Sequence, residues 1–163
     1  MEIKRDNSQI KRDYLWVLLR LGLGWIFLWA FVDKLFGLGF STAGDKSWLA
    51  GNSPTYGFLS SVAHGPFSSF YQIIAGNTFI DWLFMIGLFL IGLSLILGIF
   101  LRAAGYSGAL MMFLMWTALL PPANNPLIDD HIIYILVLLG IAIINPKQFG
   151  LGDLLKNLNL TDR

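Results

Sequence analysis

Three strongly apolar runs without a charged residue stand out in this sequence: Trp82 to Leu101, Ala103 to Leu120 and Ile132 to Asn145. A fourth apolar stretch, Tyr14 to Phe36, is interrupted only by Arg20, Asp33 and Lys34. A helix that crosses a bilayer needs roughly 20 mostly apolar residues. The first two clean runs approach that length alone. The last reaches it only if its helix begins near Leu127, which draws Asp129, Asp130 and His131 into the first turn. The pattern predicts an all-α integral membrane protein, a four-transmembrane-helix antiparallel bundle in a single domain. Its helices are expected at about 14–36, 80–101, 104–120 and 127–145, with an outer loop over 37–79 and a tail over 146–163.

Composition agrees with that class. Of 163 residues, 56% are apolar and 13% charged, about half the charge of an ordinary globular domain, and the mean hydropathy is +0.66. Cysteine is absent, which excludes disulfides, thiolate metal sites, iron–sulfur ligation and dithiol chemistry within these residues. Any redox role would need a bound cofactor. A formal charge of +1, with no basic block beyond the first dozen residues, gives no signal for nucleic acid. The first apolar stretch carries Asp33 and Lys34 at its far end, which suits a retained anchor better than a cleaved signal.

Orientation follows from the basic residues. Lys4, Arg5, Lys11 and Arg12 precede the first helix, Arg102 lies between the second and third, and Lys147, Lys156 and Arg163 follow the fourth. By the positive-inside rule that side is cytoplasmic, so the chain is expected in the cell membrane with both termini inside. The long loop and the turn "PPANNP" then face out. Ser53-Pro54 and Gly65-Pro66 predict two short helices on or dipping into the outer leaflet. Leu151, Leu154, Leu155 and Leu158 have helical spacing and predict a tail helix on the inner membrane surface.

Several polar groups stand out against this background. Arg20, Gly24, Phe27, Phe31 and Lys34 are spaced so that they share one helix face. A charge at mid-bilayer costs about 2.5 to 3.5 kcal/mol, so Arg20 either turns into the bundle or snorkels to inner-leaflet phosphates. Lys34 beside Asp33 reads as an interfacial pair. Arg102 is a topological anchor or a contact for a headgroup or cofactor. Gly87, Gly92, Ser94 and Gly98 let helices approach closely.

Pro121, Pro122 and Pro126 stop the third helix, after which Asp129 and Asp130 are favoured by the positive end of the fourth. Asp130 shares a face with Tyr134, an arrangement expected to aim a carboxylate and a phenol inward. One acid would then be poised to handle protons or bind a cation. Together with His131, Asp33, Lys34 and Asp81, these residues are expected to form one charged ring at the outer mouth. His64 and His131 lack ligand-like spacing, so neither haem nor a metal site is expected.

Taken together, these residues resemble the DoxX/DoxD-like family of four-helix membrane proteins, which includes the membrane subunit of thiosulfate:quinone oxidoreductase. Arg20, Gly24 and Lys34 in "RLGLGWIFLWAFVDK" match the first-helix pattern. "GLSLILGIFLR", ending at Arg102, matches the second, and "PPANNP", "DDHIIY" and "WLAGNSPTYGFL" look like the longer members. Leu88 stands where many members carry a glutamate, so proton handling would fall to Asp81 or the 129–131 cluster. The resemblance implies a subunit that passes electrons to membrane quinone. The quinone ring would lie among Phe27, Phe31 and Trp116, while Lys34, Asp130 or His131 hydrogen-bonds or protonates a carbonyl. Arg20, Arg102 and Tyr134 complete the candidate cofactor contacts. The alternative is a noncatalytic membrane protein that binds a lipid or small molecule, or scaffolds an enzyme. A soluble or membrane partner subunit and a second copy of the chain remain open as partners.

Overall fold

The structure is a computed structural model describing residues 7–122, 125–146 and 150–151, with side chains described from Lys11 onward. Among the described residues the chain is helical without strands. The helices are α1 (Asn7–Phe36), α2 (Ser68–Ile74), α3 (Thr78–Leu97), α4 (Leu101–Ala118) and α5 (Asp130–Ile144), with a 3₁₀ turn at Gly44–Lys46 and a π turn at Phe58–Val62 between α1 and α2. The two short helical segments expected in the loop are present. The expected tail helix lies outside the described residues beyond Leu151.

The long helices close into a ring. α1 packs on α3 and α5, α3 on α4, and α4 on α5. Phe27, Met85, Leu95, Leu101, Leu138 and Ile141 are fully buried at its centre. Large apolar side chains also point outward from every long helix, including Leu18, Trp25, Leu83, Leu90, Leu110 and Leu136.

Two helices, Lys11–Phe36 and Thr78–Leu97, are long and apolar enough to cross a membrane by length and composition. The other two expected spans are shorter or less apolar, for local reasons. Asp129 accepts the N–H groups of His131 and Ile132 as the N-cap of α5, so Leu127 and Ile128 stay outside a helix of 15 residues. The second apolar run breaks at Gly98, whose left-handed conformation ends α3. Arg102 consequently sits in the first turn of α4 instead of closing α3.

Small residues set the helix spacing. A Cβ on Gly92 would lie 2.8 Å from Leu28 N and 3.0 Å from Gly24 O, so the backbones of α1 and α3 touch there. A Cβ on Gly105 would lie 2.6 Å from Leu138 O and 2.8 Å from Ala142 Cβ, which brings α4 equally close to α5. Gly105→Ala should therefore destabilise the extracted protein by about 1–3 kcal/mol, the usual cost of overpacking. Gly22→Ala is the control, because no atom lies within 4 Å of its added Cβ. Thermal unfolding in detergent would separate the two, and equal behaviour would remove backbone contact as the reason for this glycine.

Candidate functional site

Phe36, Thr78, Ala118 and Asp130 mark one end of the bundle, where the loops gather. The acids there are satisfied individually, by the loops that cover them. Asp33, 1% exposed, accepts Phe40 N–H at 3.2 Å, Ser41 N–H at 3.0 Å and Ser41 Oγ–H at 2.6 Å. Asp81, 5% exposed, accepts at one oxygen from Ser53 Oγ at 2.7 Å, Thr55 N at 3.3 Å and Thr55 Oγ1 at 2.6 Å. Each carboxylate clips a loop onto a helix end through neutral donors, the hydrogen bonding that a buried acid needs.

The expected charged ring does not form. Asp129 caps α5 and also meets His131 Nδ1 at 2.9 Å, and among the described residues Lys34 pairs with neither Asp129 nor Asp130. The carboxylates find hydroxyls and amides closer at hand. Asp130 is exposed, so it does not point inward with Tyr134, which is half-buried against the core. The cap has used Asp129, and the turn of helix that follows leaves Asp130 facing outward. Among the described residues, no three His, Asp or Glu side chains are grouped to hold a metal ion.

Between α1 and α3, just below the loop end, an open pocket of about 180 Å³ is lined by Phe31, Trp48, Trp82, Ile86 and Phe89 and is wholly apolar. Trp48 and Trp82 meet edge to face at 4.7 Å, and Phe31 and Phe89 lie 5.1 Å apart. Trp48 reaches the pocket because its N–H donates to Lys34 O at 2.9 Å, folding the loop back over the end of α1. Lys34 is thus half-buried one helical turn from Phe31.

The three aromatic residues expected to share a ligand are not together. Phe31 lines the pocket, whereas Phe27, 2% exposed, is enclosed in the core. Trp116 donates its indole N–H to Leu127 O at 3.0 Å, tying α4 to the approach to α5. Trp48, Trp82, Ile86 and Phe89 were not distinguished by the sequence pattern. An aromatic residue at the start of an apolar run is the signal that points to Trp82.

At the opposite end, Arg20 is fully buried and its Nη1 donates to Pro146 O at 2.8 Å, just past α5. The same nitrogen would lie 2.6 Å from a Cβ on Gly98, the C-cap of α3. The guanidinium therefore sits where the C-terminal ends of α3 and α5 converge, and their aligned carbonyl dipoles favour a cation. Among the described residues its Nε and Nη2 are buried without a hydrogen-bond partner. The inward reading of Arg20 holds. Arg102 is exposed.

No family model matches the chain, and no curated protein or solved structure matches it. The clips give the most direct local test. Asp81→Ala strands three donors and should cost about 1–3 kcal/mol, with faster protease cleavage between Trp48 and Ala63. Asp81→Asn keeps the accepting oxygen and should be milder. Equal cleavage of wild type and both variants would show that Asp81 does not hold this loop.

Proposed function

We propose that this chain is a DoxX-like four-span protein of the cytoplasmic membrane, with both termini inside, that binds a quinone head group at its outer mouth. The observation that carries the reading is the aromatic pocket of Phe31, Trp48, Trp82, Ile86 and Phe89, one helical turn from Lys34. A flat quinone ring suits tilted and edge-on aromatic walls, and an ammonium one turn away supplies a donor for a carbonyl oxygen. The family resemblance of "RLGLGWIFLWAFVDK" and "GLSLILGIFLR" supports the same class.

Four spans are supported by the closed ring, in which α4 and α5 lie alongside α1 and α3 and also present apolar faces outward. Leu127 and Ile128, both exposed, extend the apolar length ahead of α5. Phe70 and Ile73 are exposed on α2 and would rest in the outer leaflet.

Reducing a quinone takes two electrons and two protons. This chain would supply the binding site and Lys34 the carbonyl contact, a soluble or membrane partner subunit would deliver the two electrons from thiosulfate or another reductant, and the two protons would come from water at the open mouth of the pocket. Asp130 and His131 stand on α5, which contributes nothing to the pocket lining, and have no part in this step. A second reading is favoured by the lining itself. With no charged group in the wall, the pocket also suits a lipid acyl chain in a noncatalytic protein.

Equilibrium binding of a short-chain ubiquinone to the protein in nanodiscs separates the two. The quinone reading predicts saturable binding, weakened about tenfold in Trp82→Leu, the equivalent of about 1.4 kcal/mol of aromatic contact. Phe113→Leu, on an exposed face of α4 outside the pocket, should bind as wild type. Absence of saturable binding, with a phospholipid retained through purification, would favour the acyl-chain reading.

A further inference from the structure

His64 follows the π turn at Phe58–Val62 and precedes α2. Its backbone N–H donates to Ala118 O at 2.9 Å, where α4 ends. Its ring lies between two carbonyl oxygens, with Nδ1 2.8 Å from Val62 O and Nε2 3.1 Å from Pro121 O. A carbonyl oxygen only accepts, so both contacts are hydrogen bonds only when both ring nitrogens carry protons, as in the imidazolium. A neutral ring has one N–H and must turn a lone pair toward the other oxygen.

The ring is exposed, while the backbone that carries it is closely held. Gly65, at φ +80°, presses against Leu120 O so closely that no side chain fits at this position. Beneath it, Leu59, Ala63, Tyr71 and Ala118 form a small core between the loop and the end of α4.

We propose that His64 is a proton-operated clasp that fastens the outer loop to the proline turn after α4 when its ring is doubly protonated and releases the Pro121 contact when a proton is lost. The groups around it leave the switch to this one residue. The π turn carries no charge, and the titratable group of α2 is Tyr71, whose hydroxyl is engaged with Leu114 O and Thr117 Oγ1. The charged residue of α4 is Arg102, at its far end, and α5 begins with Asp130, preceded by Asp129, which is engaged with His131.

The two carbonyls favour the cation and raise the His64 pKa above the ordinary histidine value. The sign follows from that direction. A group whose folded pKa is raised contributes fully below its unfolded value and loses the contribution as pH rises through the folded one. The clasp is therefore closed below about pH 6.5 and opens above the raised value. This inference is independent of what occupies the aromatic pocket.

The test is made on the full chain in nanodiscs, where the sequence contains 2 histidines that ¹⁵N imidazole spectra distinguish. His64 should titrate above about 6.5, with both ring nitrogens protonated at lower pH. Amide exchange over residues 58–76, corrected for the intrinsic effect of pH, should slow by roughly threefold or more between about pH 8.5 and about pH 5.5. His131→Gln should keep this change and His64→Gln should abolish it. A His64 pKa at or below the ordinary value, exchange unchanged over that range, or an equal change in His64→Gln would each overturn the proposal.

Discussion

The backbone contact of α1 with α3 at Gly24 and Gly92 fixes most of what this molecule places along its length. With Gly92 only about a van der Waals contact from Leu28 N and Gly24 O, the two helices cannot slide or separate without losing the packing on both sides of the crossing. One turn toward the tail end, the same register sets Arg20 under the C-cap of α3 at Gly98. Toward the loop end it sets Phe31 against Phe89 and leaves the gap that Trp48 and Trp82 wall. The buried cation and the aromatic pocket are two consequences of one crossing.

Charge is handled locally rather than across the molecule. Asp33 and Asp81 are nearly fully buried, and each is met by hydroxyl and amide donors from the loop that covers it. Arg20 takes Pro146 O and lies at the carbonyl ends of two helices. Such pairings spare the cost of a buried ion pair whose desolvation can exceed its attraction. They also make the loops part of the fold. The segment from Ser53 to His64 is joined to α3 through Asp81 and to the end of α4 through the His64 backbone N–H.

Periodicity made the helices legible, together with the inward face of α1. Arg20, Gly24 and Phe27 are buried and Phe31 and Lys34 half-buried, as their spacing predicts. Capping was expected of Asp129 and Asp130 together, in the first turn of a helix begun near Leu127, and the structure gives it to Asp129 alone, with α5 starting at Asp130. What periodicity could not show were partners brought in by irregular loops. Asp33 is satisfied from seven and eight residues away, and Asp81 from 28 and 26 residues away, with no repeat linking donor to acceptor. The charged ring was expected because acids at helix ends were paired by proximity alone, without the hydroxyls that intervene. Trp48 was hidden for the same reason, since a loop hydrogen bond to Lys34 O carries it to the pocket.

In the proposed four-span arrangement α4 and α5 cross the membrane beside α1 and α3, which would place the loops and the proline turn on one outer face. The sequence has no cysteine, so single cysteines introduced at Thr42, Ser61, Asn125 and Ala103 can be labelled in intact cells with a membrane-impermeant maleimide without background. Four spans with both termini inside predict labelling from outside at Thr42, Ser61 and Asn125, and at Ala103 only after the membrane is permeabilised. Asn125 is the deciding position. Protection of Asn125 together with Ala103 would mean that only α1 and α3 span, and would contradict the four-helix arrangement.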